Sequence, residues 1–490
     1  MRISFNGLAQ LAPMIANLAL TPLLINRLGA DRFGIWSLAL IVLSTLTSLD
    51  GGLSASLARF FAVHATRDDR ADAGRLLIGS LILFLGLGLL LTAVAYAFAP
   101  TFVGLMHIPA SLEKEATAVF RWLPLLTVVA LVANATAALL QGNGRFRELA
   151  LATAASVGVF AVAVVVLVEP GPHLQALVVA ALLRYAAMAA CGLALARRHL
   201  ALHRPLLPSW STIREVGAYS SRMQLATMTG FVNAELDGFV IAAVSPVRYV
   251  GLYSIGLQAA SAARSIPLYA FSPLLTRLTM TFRREGRTAA ADEFERLERI
   301  WLPSVLGYGV VALAAIGFAV TVWLGHDFVL SGVTAVVLLT GYIVHVGLTG
   351  MRTCYVRAVG RPGLEARYST VWTICNAALT VPLALLAGMV GVVSATAGTG
   401  IIASVYFVFL CRREERLPPL VPARSWWLFA ATAACITVLG ELAVLQTSLH
   451  GFVGLLATGL PPLVALTIVV PFERRRSRVS EARLQRATSP

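Results

Sequence analysis

Leu76-Leu77-Ile78-Gly79-Ser80-Leu81-Ile82-Leu83-Phe84-Leu85-Gly86-Leu87-Gly88-Leu89-Leu90-Leu91 is a run of 16 residues without a charge, and it continues apolar to Ala99. A strand of a membrane barrel alternates apolar and polar residues over about ten positions. This stretch does not alternate, and it is long enough for a helix that crosses the hydrocarbon of a bilayer, which takes about 20 residues. Similar stretches recur along the chain. With 58% hydrophobic residues, 13% charged residues and a mean hydropathy of +0.79, the sequence is that of an all-α, polytopic integral membrane protein. No soluble domain is visible.

Apolar runs set against charged or Pro/Gly breaks predict 14 spans, at 6–25, 33–56, 76–99, 117–140, 149–169, 175–195, 216–244, 249–276, 300–324, 332–351, 368–388, 391–410, 426–446 and 451–472. Only a tight turn at Ser245-Pro246 divides the seventh from the eighth. With these spans, 31 of the 39 basic residues fall on one face, and only Arg27, Arg32, Lys114 and Arg248 fall on the other. Basic residues stay on the cytoplasmic side, so both termini are expected there, in the inner membrane of a bacterium. The same bias explains the net charge of +15 without nucleic acid. The N-terminus reads as a first span rather than a cleaved signal peptide, because no small-residue cleavage site follows it. Basic stretches at Arg283–Arg287 and in the tail after Glu473 suit anionic headgroups of membrane lipids, although orientation alone explains them.

The chain repeats itself. Phe33-Gly34-Ile35-Trp36-Ser37-Leu38 opens the second span, and Val250-Gly251-Leu252-Tyr253-Ser254-Ile255 opens the eighth, 217 residues on. Gly144-Arg145 and Gly360-Arg361 hold equivalent loops at an offset of 216. Six spans separate the copies, so both halves run through the bilayer in the same sense, as two pseudo-twofold-related six-helix lobes. The expected organisation is an N-terminal lobe at 1–200, a second lobe at 201–415, two additional spans within 416–472 and a basic cytoplasmic tail at 473–490.

The motifs Asn26-Arg27-Leu28-Gly29, Phe33 to Leu38, Leu49-Asp50-Gly51-Gly52-Leu53 leading to Arg59, and Gln141-Gly142-Asn143-Gly144-Arg145 accompany this layout. Asp237-Gly238-Phe239-Val240-Ile241, running into Val250 to Ser254, continues it. Together they resemble the multidrug/oligosaccharidyl-lipid/polysaccharide exporter superfamily, and within it the Wzx-like polysaccharide or O-antigen flippases. The resemblance implies an alternating-access fold and a lipid-linked oligosaccharide substrate, carried on polyprenyl pyrophosphate from the cytoplasmic to the periplasmic leaflet. It implies no cofactor and a monomeric transport unit, with a polysaccharide polymerase or ligase as a possible partner. Flippases of the peptidoglycan precursor look alike in span number, but the first two spans here carry no cluster of basic residues.

Charges inside the spans carry the functional reading, because ionised groups in hydrocarbon are costly unless they face a wet cavity or a partner. Arg184 and Arg264 stand one in each lobe, too deep in their spans for easy snorkelling, and are candidates for a pyrophosphate. The alternative is that each is tied off inside its lobe. Arg222 and Asn233 join them as cavity candidates, although Arg222 and Arg121 lie near span ends. Asp50, beside Gly51-Gly52, and the pair Glu235 and Asp237 are candidates for gating or for binding a coupling proton or cation. His345 and Glu441 read as internally hydrogen-bonded. The five cysteines have no metal-ligand spacing and read as packing residues, so no metal site is expected. No phosphate-binding loop and no paired-carboxylate glycosyltransferase motif is present, which points to a transporter rather than an enzyme. Rival readings are a cation-coupled drug exporter of the same fold and, from another class, a membrane-integral glycan polymerase or ligase.

Overall fold

A computed structural model describes residues 2–48, 53–66, 70–168, 174–196, 209–269 and 271–418. Among them there is no strand. The helices are α1 (Arg2–Leu28), α2 (Ala30–Ser48), α3 (Leu53–Thr66), α4 (Arg70–Leu105), α5 (Glu113–Gly142), α6 (Phe146–Leu167), α7 (Leu174–Ala196), α8 (Trp210–Val244), α9 (Arg248–Leu268), α10 (Phe271–Leu324), α11 (Val329–Ala358) and α12 (Gly363–Glu415). Among the described residues, eight helical stretches are long and apolar enough to cross a membrane. Backbone groups inside a bilayer find no water, so a helix, which pairs them internally, is the economical solution. The chain is a multi-pass membrane protein.

The first twelve expected spans have helices at their positions. The two further spans, Glu441 and the basic tail lie outside the described residues. One boundary differs from expectation. The eighth span was expected to run to 276, but α9 stops at Leu268 and α10 opens at Phe271; Pro267 and Pro273 flank this break in an otherwise apolar stretch. The second was expected to run to 56; α2 is described to Ser48 and α3 from Leu53, and residues 49–52 lie outside the described residues. α10 breaks internally at Gly286, and α12 at Ala387 and Gly388, so each comprises two helices.

The described residues form two compact units, and the division falls within α9 and α12. The first takes residues up to 255 together with 373–392, and the second takes 256–372 together with the residues from 393. In the first unit, Leu57 and Phe61 of α3, Leu77 and Phe84 of α4, and Leu131 and Leu139 of α5 form a buried cluster that also reaches Val216 of α8. In the second unit, Ala335, Leu338 and Leu339 of α11 and Phe407 of α12 are fully buried.

The repeat extends to hydrogen-bond geometry. After α5, the amides of Asn143, Gly144 and Arg145 donate to the carbonyls of Leu139 (3.1 Å), Gln141 (2.9 Å) and Leu140 (2.8 Å). After α11, Val359, Gly360 and Arg361 donate to Tyr355 (3.0 Å), Arg357 (3.2 Å) and Val356 (2.7 Å), every donor and acceptor displaced by 216 positions. Both turns hinge on a glycine in the left-handed region, with φ +68° at Gly144 and +79° at Gly360. A side chain there would strain the backbone, which is why glycine closes each helix.

Candidate functional site

In the first unit, α8 brings two carboxylates to neighbouring helices. Glu235 accepts a hydrogen bond from Ser44 Oγ of α2 at 2.7 Å. Two residues on, Asp237 is fully buried and accepts from Tyr253 Oη of α9 at 3.1 Å. The contact of α8 with α2 is close at Gly238, where a β-carbon would overlap Ile41. The carboxylates thus join α8 to the two helices that carry the echoed Gly34 and Gly251 motifs. A carboxylate in hydrocarbon is stabilised by such donors, or by a bound proton or cation.

Arg184 stands on α7, half-buried, with its guanidinium over the rings of Phe160 (5.5 Å) and Tyr185 (5.6 Å). It has no ion-pair partner among the described residues. Stacking on aromatic faces supports a guanidinium without consuming its in-plane N–H donors.

Arg264 belongs to the second unit, on the other part of α9. Its guanidinium lies over the Tyr342 ring at 4.3 Å, and its buried Nε has no hydrogen-bond partner among the described residues. Beside it, Tyr308 Oη donates to the carbonyl of Ala263 at 2.7 Å. One turn along α11 from Tyr342, His345 Nδ1 lies 2.9 Å from Ser404 Oγ, and that hydroxyl donates to the carbonyl of Gly400 at 2.6 Å. With its single proton committed, Ser404 accepts, so Nδ1 carries the imidazole proton. His345 packs on Trp372 with ring centroids 4.9 Å apart.

Arg222 and Asn233 lie on α8, but their side chains fall outside the described residues, as does Asp50 altogether. Glu235 and Asp237 share the first unit with Arg184, and Arg264 is in the second.

Several arginines counted from sequence only as orientation signals have specific structural partners. Arg27 Nη1 donates to the carbonyls of Val165 (2.8 Å) and Val168 (2.5 Å) at the end of α6, where helix carbonyls lack partners. Arg32 pairs with Glu115 at 2.9 Å, and Glu115 also accepts from the Leu174 amide at the start of α7 at 3.0 Å. In the second unit, Arg352 is fully buried, pairs with Glu298 at 3.0 Å and donates to the carbonyl of Pro418 at 3.1 Å. The buried carboxylate of Glu415 receives both Arg361, at 2.8 Å, and Arg287. These pairs were not read from the sequence, since their members are distant along the chain and fall outside the expected spans, where charge is ordinary.

Residues 26–282 match the family model described as polysaccharide biosynthesis protein. No curated protein matches the chain by sequence. Among solved structures, an inward-facing multidrug resistance MATE family transporter of the MOP superfamily superposes with a TM-score of 0.71 at 14% identity, over 84% of this chain and 98% of that one. The lipid II flippase MurJ in its inward closed conformation gives a TM-score of 0.71 at 12% identity, over 95% and 98%. An outward-facing MATE family transporter gives 0.58 at 17% identity, over 86% and 96%. At these identities the likeness is one of fold. The family match spans more than half of the chain, and with it this membrane protein belongs to the polysaccharide biosynthesis protein family and has the fold of the MOP-superfamily transporters.

Proposed function

We propose that the chain is a flippase, which moves a polyprenyl-pyrophosphate-linked oligosaccharide across the bacterial inner membrane by alternating access, for cell-surface polysaccharide. What carries the reading is the presence, in membrane helices, of two guanidiniums set on aromatic rings, Arg184 on α7 and Arg264 on α9, in a member of a polysaccharide biosynthesis family. A half-buried cation with no carboxylate partner among the described residues suits an anionic ligand, and the pyrophosphate supplies oxygens that match a guanidinium fork. Arg222 and Asn233 complete the proposed substrate-binding set. Glu235 and Asp237 are assigned to coupling or gating, because a carboxylate hydrogen-bonded between helices changes its interactions when it gains a proton or cation, and Asp50 joins them on the strength of its place beside Gly51-Gly52 in the sequence. Directed movement requires the substrate or the coupling ion to bind the two access states unequally.

The chain is placed with both termini in the cytoplasm, on the strength of its basic-residue asymmetry. The transport unit is a monomer that hands substrate on to a polymerase or ligase. The test is reconstitution in vesicles loaded with a fluorescent polyprenyl-pyrophosphate oligosaccharide. Protein-dependent exposure of the sugar to an impermeant quencher, lost in Arg264→Ala, is the expected result. Unchanged transport in Arg264→Ala, together with export of cationic dyes, would instead favour the cation-coupled drug exporter.

A further inference from the structure

Two arginines share one buried carboxylate at the basic-loop end of the second unit. Glu415 closes α12 with its side chain fully buried; its Oε1 receives Arg361 Nη1 at 2.8 Å, and its Oε2 receives Arg287 Nη2. Arg361 belongs to the turn after α11. Arg287 follows Gly286, whose φ of +87° lets α10 double back so that Arg277 pairs with Glu293 at 2.5 Å. Arg287 also meets the hydroxyl of the buried Tyr355. One carboxylate cannot neutralise two guanidiniums, so a positive charge is left over. The first unit is built differently: Arg145, the counterpart of Arg361, pairs one to one with Glu148 at 3.3 Å, and the second unit has Leu364 at the place of Glu148.

The surplus charge stands at a definite depth. α11 has 30 residues, a length of about 45 Å, which matches a bilayer with its headgroups. The turn at Gly360-Arg361, just past the end of α11, is therefore at headgroup level. Because Arg287 reaches the same carboxylate as Arg361, the α10 tip Arg283-Arg284-Glu285-Gly286-Arg287 is at that level too. Arg287 is 54% exposed and Arg361 48%, so each is fixed along one edge and open along the rest. Guanidiniums this close repel each other, and Glu415 holds them side by side in spite of it. An anion that bridges them gains from both charges and from donors already set in place.

We propose that Arg287 and Arg361, paired on Glu415, form a binding site for the phosphate of an anionic phospholipid in the leaflet that faces the basic loops. The site is separate from Arg184 and Arg264 and does not depend on what the chain transports. A lipid phosphate there braces the tip of α10 against the turn between α11 and α12, a role for which the first unit, with its local Arg145–Glu148 pair, has no equivalent.

The test is titration of the detergent-solubilised protein with phosphatidylglycerol or phosphatidylcholine, with bound lipid counted by native mass spectrometry. The natural protein is expected to retain phosphatidylglycerol in preference to phosphatidylcholine. Arg361→Gln should weaken phosphatidylglycerol binding about fivefold. Removing both arginines would strand Glu415, so the second variant combines Arg287→Gln, Arg361→Gln and Glu415→Gln, and should weaken binding about 25-fold or more. Arg145→Gln should leave it unchanged. Melting temperatures separate loss of binding from loss of fold; if the triple variant does not fold, Arg361→Gln, which keeps the Arg287–Glu415 pair, carries the test. Phosphatidylglycerol binding that survives in the folded variants overturns the proposal, as does equal retention of phosphatidylcholine by the natural protein. An equal loss in Arg145→Gln overturns it by showing a general effect of charge. Displacement of phosphatidylglycerol by inorganic phosphate at the same concentration overturns the assignment to a lipid.

Discussion

Gly34 and Gly251, equivalent residues of the two repeats, pack against each other: a β-carbon built on Gly251 would come within 3.2 Å of the Gly34 Cα, and one on Gly34 would lie 2.2 Å from the Val247 carbonyl oxygen. The turn between α8 and α9 that holds Val247 is tied to the segment after α4, the amide of His107 donating to the carbonyl of Ala242 (3.2 Å) and that of Val247 to the carbonyl of His107 (3.1 Å). Gly34→Ala has no space, so the opening turns of α2 and α9 must separate. Overpacking of this kind costs about 1–3 kcal/mol. The expected outcome is a lower melting temperature and, in a cysteine-free background, faster maleimide labelling of Ser37→Cys, which is 3% exposed in the packed state.

Gly144 and Gly360 make a cleaner case, because a β-carbon at either meets nothing within 4 Å and only the backbone conformation opposes it. Gly144→Ala and Gly360→Ala should each cost about 1 kcal/mol, with nearly equal shifts in chemical unfolding. Unequal costs, beyond a few tenths of a kcal/mol, would contradict the identity of the two turns.

That matching turn was legible in the sequence because φ above zero restricts the residue to glycine, and Gly144-Arg145 and Gly360-Arg361 share an offset. The span positions were legible because hydrocarbon thickness dictates a length of apolar chain. The end of α9 at Leu268 was not: residues on both sides of the break are apolar, and hydropathy does not register a backbone interruption. Nor were the partners of the membrane charges. Ser44 and Glu235 meet across 191 positions, and any of several hydroxyls in the first two spans would have satisfied the sequence equally well.

Arg352 and Glu298 give a stability prediction. Arg352→Ala leaves the Glu298 carboxylate in a largely buried position with its cation gone, and breaking a buried pair costs about 3–5 kcal/mol. Purified Arg352→Ala should melt far below the natural protein or fail to accumulate. The double variant Arg352→Met with Glu298→Leu removes both charges and should recover most of the loss, since two apolar side chains carry no desolvation debt. A double variant as unstable as the single one would locate the effect in Arg352's other contacts, the Pro418 carbonyl at 3.1 Å and the face of Phe294 at 5.5 Å.

Glu235 separates coupling from packing. Glu235→Gln keeps an oxygen that accepts from Ser44 and removes the charge, whereas Ser44→Ala removes the donor and keeps the charge. With Glu235 in the coupling set, Glu235→Gln is expected to abolish the dependence of transport on an imposed proton or sodium gradient, leaving substrate binding within about twofold. Ser44→Ala is expected to retain gradient dependence at a reduced rate. Gradient-dependent transport by Glu235→Gln would remove Glu235 from the coupling set and leave its contact with α2 as a structural one.

Arg264 is the sharpest of the membrane positions, because its buried Nε is unused while its charge rests on Tyr342. A guanidinium so placed offers an anion both charge and a planar donor edge; lysine offers the charge alone. Arg264→Lys should therefore retain measurable transport, and Arg264→Ala should lose it, by about tenfold or more if one charge-assisted contact to the substrate is removed. Tyr342→Leu keeps the guanidinium but frees it from its ring, so its effect should fall between the two. His345→Gln tests the neighbouring polar group: with Nδ1 committed to Ser404, its loss is expected to lower stability more than transport per folded molecule. If Arg264→Ala and Arg264→Lys transport equally well while both remain folded, the arginine serves only to brace α9 against α11, and the anionic headgroup must be recognised elsewhere.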